Sequence, residues 1–324
     1  MRTRVTLALA ALALLIAASP VAAQAEKQGK IVMLGDSITK YGLPEAASAP
    51  LNELTRGKVA WTLVNAGVGG ETAEVGKTRL PALLQAEKPD LLTVSYGLND
   101  LAQNHKPEQF RANLLEILDL AAKQSPATRV ILLTATPFDP RTSLSKNKTI
   151  MDQGGPDLVL ELKFNSIVRQ IAAEKNLPLI DLHRYFMTDP EWTRYIKPDG
   201  VHFVPEGYTF CGKYLAAAIA AWYETEVARD AKGLKVRDQA LAQLKEVAAA
   251  IAKEADKPEG RKQLLAKLDA VWRACPYLPP QAAIWHAVYY AGKTAEPAKS
   301  ETPKPQTSAA PPKPDAPAPA PAKS

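Results

Sequence analysis

Several things are scarce in this 324-residue chain, and each scarcity excludes something. Only two cysteines occur, Cys211 and Cys275, so a disulfide-dense framework and a cysteine-rich zinc module are both out of reach. One bridge between the two remains open, and so do two separate buried thiols, because spacing cannot say whether two sulfurs meet. Histidine occurs four times and aromatic residues make up 6% of the chain. No run of Lys and Arg is present. Of the net charge of +6, two units belong to Arg2 and Arg4 and one to the C-terminal tail, which leaves a weakly basic body of about +3. Such a body lacks the basic patch that nucleic-acid binding needs. Past the first 25 residues no stretch approaches the roughly 20 apolar residues of a membrane span. No internal repeats are detectable.

The N-terminus carries an export pattern. Arg2 and Arg4 precede a run from Val5 to Ala18 that is apolar except for Thr6, and Ala23-Gln24-Ala25 supplies small residues in an A-x-A arrangement. This predicts a signal peptide over residues 1–25 and a secreted or periplasmic protein with no transmembrane span in the mature chain.

Strand-like and helix-like runs then alternate. Lys30–Leu34, Val59–Val64, Leu91–Tyr96, Arg129–Ala135 and Leu177–Leu182 are continuous apolar runs, as expected of parallel strands covered on both faces. Helical patterns lie at Leu80–Lys88, with Pro81 near its start, at Pro107–Gln124, at Asp157–Lys175 and at Pro205–Asp230. The order predicts an α/β fold with an open parallel sheet. Phe138–Pro156 is a long connection without periodicity, the length of a functional lid or of a disordered segment.

Beyond Asp230 the composition shifts. Val236–Lys253, Pro258–Arg273 and Ala282–Tyr290 read as helices of a small appendage over 231–295, packed on the main domain of residues 26–230; a Cys211–Cys275 bridge would tether it there. Residues 296–324 are rich in Pro, Ala and Lys and read as a disordered tail that could contact the cell envelope.

Ligands of an open α/β sheet gather beyond the carboxyl ends of its strands. Four polar clusters fall there: Gly35-Asp36-Ser37-Ile38-Thr39, Asn65 to Thr72, Gly97-Leu98-Asn99-Asp100, and Asp199-Gly200-Val201-His202. Acyl transfer needs a nucleophile, a base, an orienting acid and donors for the oxyanion. Ser37 is the candidate nucleophile, His202 the base and Asp199 the acid, with the Ser37 N–H, Gly70 and Asn99 as donors. Ser37 could instead be a plain helix cap, the glycines a plain turn, and Asn99-Asp100 a cap for the helix at Pro107. His105 could border the site. His183, with Asp181 two residues before it, is the fallback base. His286 falls in the appendage. Asp36, Asn99, Asp100 and His202 could together surround a cation, but their spacing is not that of a zinc site.

The four clusters, in this order, resemble the blocks of the SGNH hydrolase superfamily, the GDSL esterase/lipase family. Gly35-Asp36-Ser37 closes at Gly42, and the second block's glycine, directly before Glu71-Thr72, selects Gly70 over Gly67. The G-x-S-x-G elbow of α/β-hydrolases is absent, since Thr39 stands two residues after Ser37. The resemblance spans roughly residues 29–228. It implies a flavodoxin-like three-layer sandwich with a five-stranded parallel sheet, and ester hydrolysis through an acyl-enzyme without cofactor or metal. The substrate expected is a small-molecule or polysaccharide ester with a short acyl group, such as O-acetyl on carbohydrate. A lysophospholipase or thioesterase and a non-catalytic envelope-binding module are the alternatives.

Overall fold

A computed structural model describes residues 27–254 and, beyond them, 263, 266, 267, 270, 271, 273 and 275–277. The expected signal peptide, the Ala282–Tyr290 helix, His286 and the tail lie outside the described residues.

Five strands form one parallel sheet: β1 (Lys27–Gly35), β2 (Val59–Gly67), β3 (Leu91–Ser95), β4 (Arg129–Leu133) and β5 (Leu179–Ile180). Their spatial order is β2-β1-β3-β4-β5, and every pairing is parallel. β1 sits between two neighbours, and its Ile31, Val32, Met33 and Leu34 are all buried. Successive side chains point to opposite faces, so both faces are covered, which is why the sequence is an unbroken apolar run. The outermost strand β2 is only partly buried. The chain leaves β1 toward β2 on one side and returns as β3 on the other, so a crevice opens beyond the carboxyl ends of β1 and β3. Gly35 is in register with both Gly67 and Ser95, which brings three loops together at that point.

Helices and two π turns follow and connect the strands. α1 (Ser37–Lys40) and α2 (Leu43–Leu54) follow β1, and α3 (Ala73–Glu87) follows β2. α4 (Leu98–Ala102) and α5 (Pro107–Gln124) follow β3. α6 (Pro156–Leu160) runs through a π turn at Glu161–Asn165 into α7 (Ser166–Glu174). α8 (Pro205–Trp222) runs into a second π turn at Tyr223–Val227, and α9 (Ala231–Glu254) comes last.

Three expectations change, and one helix appears that the sequence did not predict. The helix before β3 begins at Ala73, not Leu80, and Pro81 lies inside it. The Asp100 carboxylate accepts the Ala73 N–H at 3.2 Å, so the helix start is fixed from outside its own sequence. α2 was hidden by Pro44 and Pro50, yet it packs tightly on α8: a Cβ on Gly212 would stand 2.6 Å from the Ala46 carbonyl carbon. The last strand shrinks to Leu179–Ile180. Phe138–Pro156 is ordered rather than disordered; it contains a 3-10 turn at Ser143–Lys146 and a short helical turn at Lys148–Met151.

Past α8 the chain packs back on the main domain. The Tyr214 hydroxyl donates to the Pro276 carbonyl at 2.8 Å, and Tyr277 meets both Thr225 and Glu226. Cys211 and Cys275 are buried free thiols, so no bridge forms the tether. Burial pushes both thiols up, Cys275 to about 11. Among the described residues no helix is long and apolar enough to cross a membrane.

Candidate active site

The turn after β1 divides its labour between two neighbouring residues. Asp36, not Ser37, caps α1: its carboxylate accepts the Ile38 N–H at 2.9 Å. The Ser37 hydroxyl is thereby left available for tertiary contacts. Gly67 lets the end of β2 press against this turn, since a Cβ there would lie 2.2 Å from the Lys40 nitrogen. Asp36 is buried, and loss of water pushes its carboxyl up to about 7, helped by the negative charges of Asp100 and Glu71.

His202 arrives from 165 residues away. Its Nε2 lies 2.9 Å from the Ser37 Oγ, and its Nδ1 lies 2.8 Å from Asp199 Oδ2. The other carboxylate oxygen of Asp199 accepts the backbone N–H groups of Val201 and His202, both at 2.9 Å. Although partial burial opposes it, these hydrogen bonds hold the Asp199 carboxyl below its ordinary range. The acid and the base are therefore fixed by one turn, which an antiparallel bridge between Ile196 and Phe203 closes.

The long loop after β4 braces that turn. The Asp139 N–H donates to the Gly200 carbonyl at 2.9 Å. Arg141 clamps Asp139 with two bonds of 2.8 Å and reaches the carbonyls of Thr193 and Ile196, each at 3.1 Å. Phe138, Thr142, Ser143 and Leu144 of the same loop form one wall of the cleft.

The second and third loops converge from the other side. Gly70 has φ +77°, a conformation a side chain would strain, and it faces open space. The Asn99 amide donates one hydrogen to the Glu71 carbonyl at 3.1 Å and keeps a second. Gln103 donates to the Gly70 carbonyl at 2.9 Å. Glu71 is buried; Arg79 binds its carboxylate at 2.8 and 2.9 Å, and the Tyr96 hydroxyl donates to it. Ser37, Gly70, Asn99 and His202 all line a single cleft of about 380 Å³, and Asp199 stands behind His202.

The two other described histidines, His105 and His183, are elsewhere. His105 lies 3.6 Å from Asp100 and does not line the cleft. Asp100 serves α3 and α4 rather than capping α5; burial pushes its carboxyl up to about 6, against the pull of the Ala73 N–H and His105. His183, the fallback base, is fully buried between Asp157, 3.0 Å from its Nε2, and Glu161, 3.3 Å from its Nδ1. Burial alone would depress its pKa, but the two carboxylates outweigh it and raise it. Its Asp181 neighbour binds Arg169 at 2.8 Å instead. The cation arrangement of Asp36, Asn99, Asp100 and His202 does not form: among the described residues no group of three acidic, His or Cys side chains is placed to hold a metal ion. Sequence reasoning missed Arg79, Tyr96, Gln103 and Arg141, which set the loops. Nothing in the spacing marks them, because each acts on a residue of another segment.

Comparison with known proteins agrees in extent with these four loops. The model of the GDSL-like Lipase/Acylhydrolase family matches residues 33–210. A Vibrio mimicus arylesterase is 26% identical over 199 residues, which is 60% of this chain and 90% of the relative. Thioesterase 1/protease 1/lysophospholipase L1 of Escherichia coli K12 is 28% identical over 195 residues, or 57% of this chain and 81% of the relative. The solved structure of the lipase/acylhydrolase from Enterococcus faecalis superposes with a TM-score of 0.49 at 27% identity, covering 59% of this chain and 95% of the other.

Proposed function

The chain belongs to the GDSL-like lipase/acylhydrolase family, an ester-bond hydrolase family, and from that premise we propose that it is an exported serine esterase working through Ser37, His202 and Asp199. The observation that carries the reading is the continuous chain of contacts from Ser37 Oγ to His202 Nε2 at 2.9 Å and from His202 Nδ1 to Asp199 at 2.8 Å. His202 takes the proton as Ser37 attacks the ester carbonyl, and the Asp199 carboxylate stabilises the imidazolium that forms. The Ser37 and Gly70 N–H groups and the second Asn99 amide hydrogen receive the oxyanion. His202 then protonates the leaving alcohol, and water repeats the cycle on the acyl-enzyme, releasing the acid and restoring Ser37.

A short acyl group, such as O-acetyl on carbohydrate, suits the site best. The cleft of about 380 Å³ is near the small end of the range of about 300–1,000 Å³ for ligand pockets, and Phe138 and Leu144 wall one side of it. The export pattern of residues 1–25 supports action outside the cytoplasm, on envelope or external polymers. The thioesterase and lysophospholipase named among the relatives favour a second, lipolytic reading.

Fluorophosphonate labelling followed by peptide mapping tests the core. The adduct is expected on Ser37 and lost in His202→Ala; an adduct elsewhere overturns the assignment. Hydrolysis of p-nitrophenyl esters from acetate to palmitate is expected to fall with chain length, and a preference for long chains selects the lipolytic reading.

A further inference from the structure

One wall of the cleft has a chemistry that the hydrolytic machinery does not use. Lys40 and Tyr41 end the short helix that Ser37 begins, and both line the cleft. Tyr41 stands edge-on to the His202 ring, with centroids 5.4 Å apart. The Lys40 ammonium lies 5.6 Å from the centre of the Tyr41 ring, within cation–π range. A Cβ on Gly69 would be 3.4 Å from the Tyr41 hydroxyl and 3.9 Å from Lys40 Nζ. The phenol and the ammonium thus hang together over the loop that carries Gly70.

The charge of this wall is unbalanced. No carboxylate lines the cleft. Asp36 is buried beneath the turn and Asp199 is engaged by His202. Glu45, on the next helix, accepts from Asn65 at 2.9 Å. Among the described residues no acid pairs with the Lys40 ammonium. A cation held on an aromatic face at the rim of an anion-free cleft favours a negative substrate group and disfavours a positive one. Leu98, Ala102, Phe138 and Leu144 give the cleft an apolar lining, beside the hydroxyls of Thr142 and Ser143.

The position also says which half of the ester carries the charge. His202 must deliver a proton to the leaving oxygen, so the alcohol departs past His202. Tyr41 is the ring that borders His202, and Lys40 lies beyond it. We propose that Lys40 and Tyr41 form an alcohol-side subsite for a carboxylate or phosphate group, so that this protein prefers esters whose alcohol part is anionic. The acyl group then lies against the apolar lining residues. This inference rests on the serine-esterase reading.

The test compares 4-acetoxybenzoate with the neutral 4-acetoxybenzamide and follows the ratio of their kcat/KM values. A change of that ratio on mutation cancels the intrinsic difference between the two leaving groups. Lys40→Met is expected to lower the ratio by about two- to fivefold, the size of a partly exposed ion pair, mainly through KM for the benzoate. Lys40→Glu lowers it further, Lys40→Arg retains it, and 0.5 M NaCl reduces it in the wild type but not in Lys40→Met. A ratio unchanged in Lys40→Met and Lys40→Glu overturns the subsite. Failure of the underlying esterase reading looks different: Ser37→Ala would then still hydrolyse both esters at the wild-type rate.

Discussion

Asp36 and Ser37 are adjacent and do opposite things. Asp36 spends one oxygen on the Ile38 N–H and is buried next to two other acids, whereas Ser37 offers its hydroxyl to His202. Burial raises the Asp36 carboxyl from 3.8 to about 7, so its ionisation opposes folding. For a group whose folded pKa is raised, the contribution is fully present below the unfolded value and is lost as pH climbs to the folded one. Asp36→Asn keeps an acceptor for Ile38 and cannot ionise. The stability of the wild type relative to this variant is therefore expected to fall as pH rises from about 4 to about 7. Urea unfolding at several pH values checks this, and a difference that is flat or grows with pH refutes it. Cap and nucleophile could not be told apart from the letters alone, since aspartate and serine both cap helices well. The neighbouring Gly70 was legible, because a glycine directly before Glu71-Thr72 fits a family block.

The elements behind the site are held by a buried ionic cluster at the carboxyl ends of β4 and β5. Arg169 on α7 binds Glu161 at 2.9 Å and Asp181 at 2.8 Å. Against the penalty of burial, the Arg169 guanidinium holds the Asp181 carboxyl below its usual range. Asp181 also accepts from the Thr134 hydroxyl at 3.0 Å, which ties this cluster to the loop after β4. Arg169→Met leaves two buried carboxylates without their main partner and is expected to cost about 3–5 kcal/mol. Denaturant midpoints measure it, and a loss under 1 kcal/mol would show that water or neighbouring groups compensate. None of this was legible from the sequence. The apolar runs of the strands were, because strands covered on both faces must be apolar throughout. The start of α3 was not, because a carboxylate 27 residues away provides its first hydrogen bond.

At the scale of the whole molecule, residues past Asp230 return to the main domain through Tyr277. Its hydroxyl bonds to Thr225 and, at 3.1 Å, to Glu226, both in the π turn past the C-terminal end of α8. Two free thiols, not a bridge, sit in this contact region. We propose that 231–295 is an appendage stabilised by such contacts on a hydrolase domain of 26–230. Tyr277→Phe is expected to lower stability by about 1–2 kcal/mol and leave ester hydrolysis unchanged. Thermal melts and initial rates together check this; a fall in kcat would tie the appendage to the reaction.

By itself the sequence determined the alternation of strands and helices and the four polar loops that converge beyond the carboxyl ends of the strands. Those are local properties: apolar periodicity, turn residues, and motif blocks whose order survives long insertions. Only the tertiary structure decided that Asp36 is the cap and that His183 lies in a buried ionic cluster. It alone turned the Phe138–Pro156 loop into a brace, and it alone set Lys40 and Tyr41 over the mouth. The Asp36 cap is a contact two residues long that either letter could have made; the others depend on groups brought in from distant segments, and distance along the chain carries no trace of proximity in space.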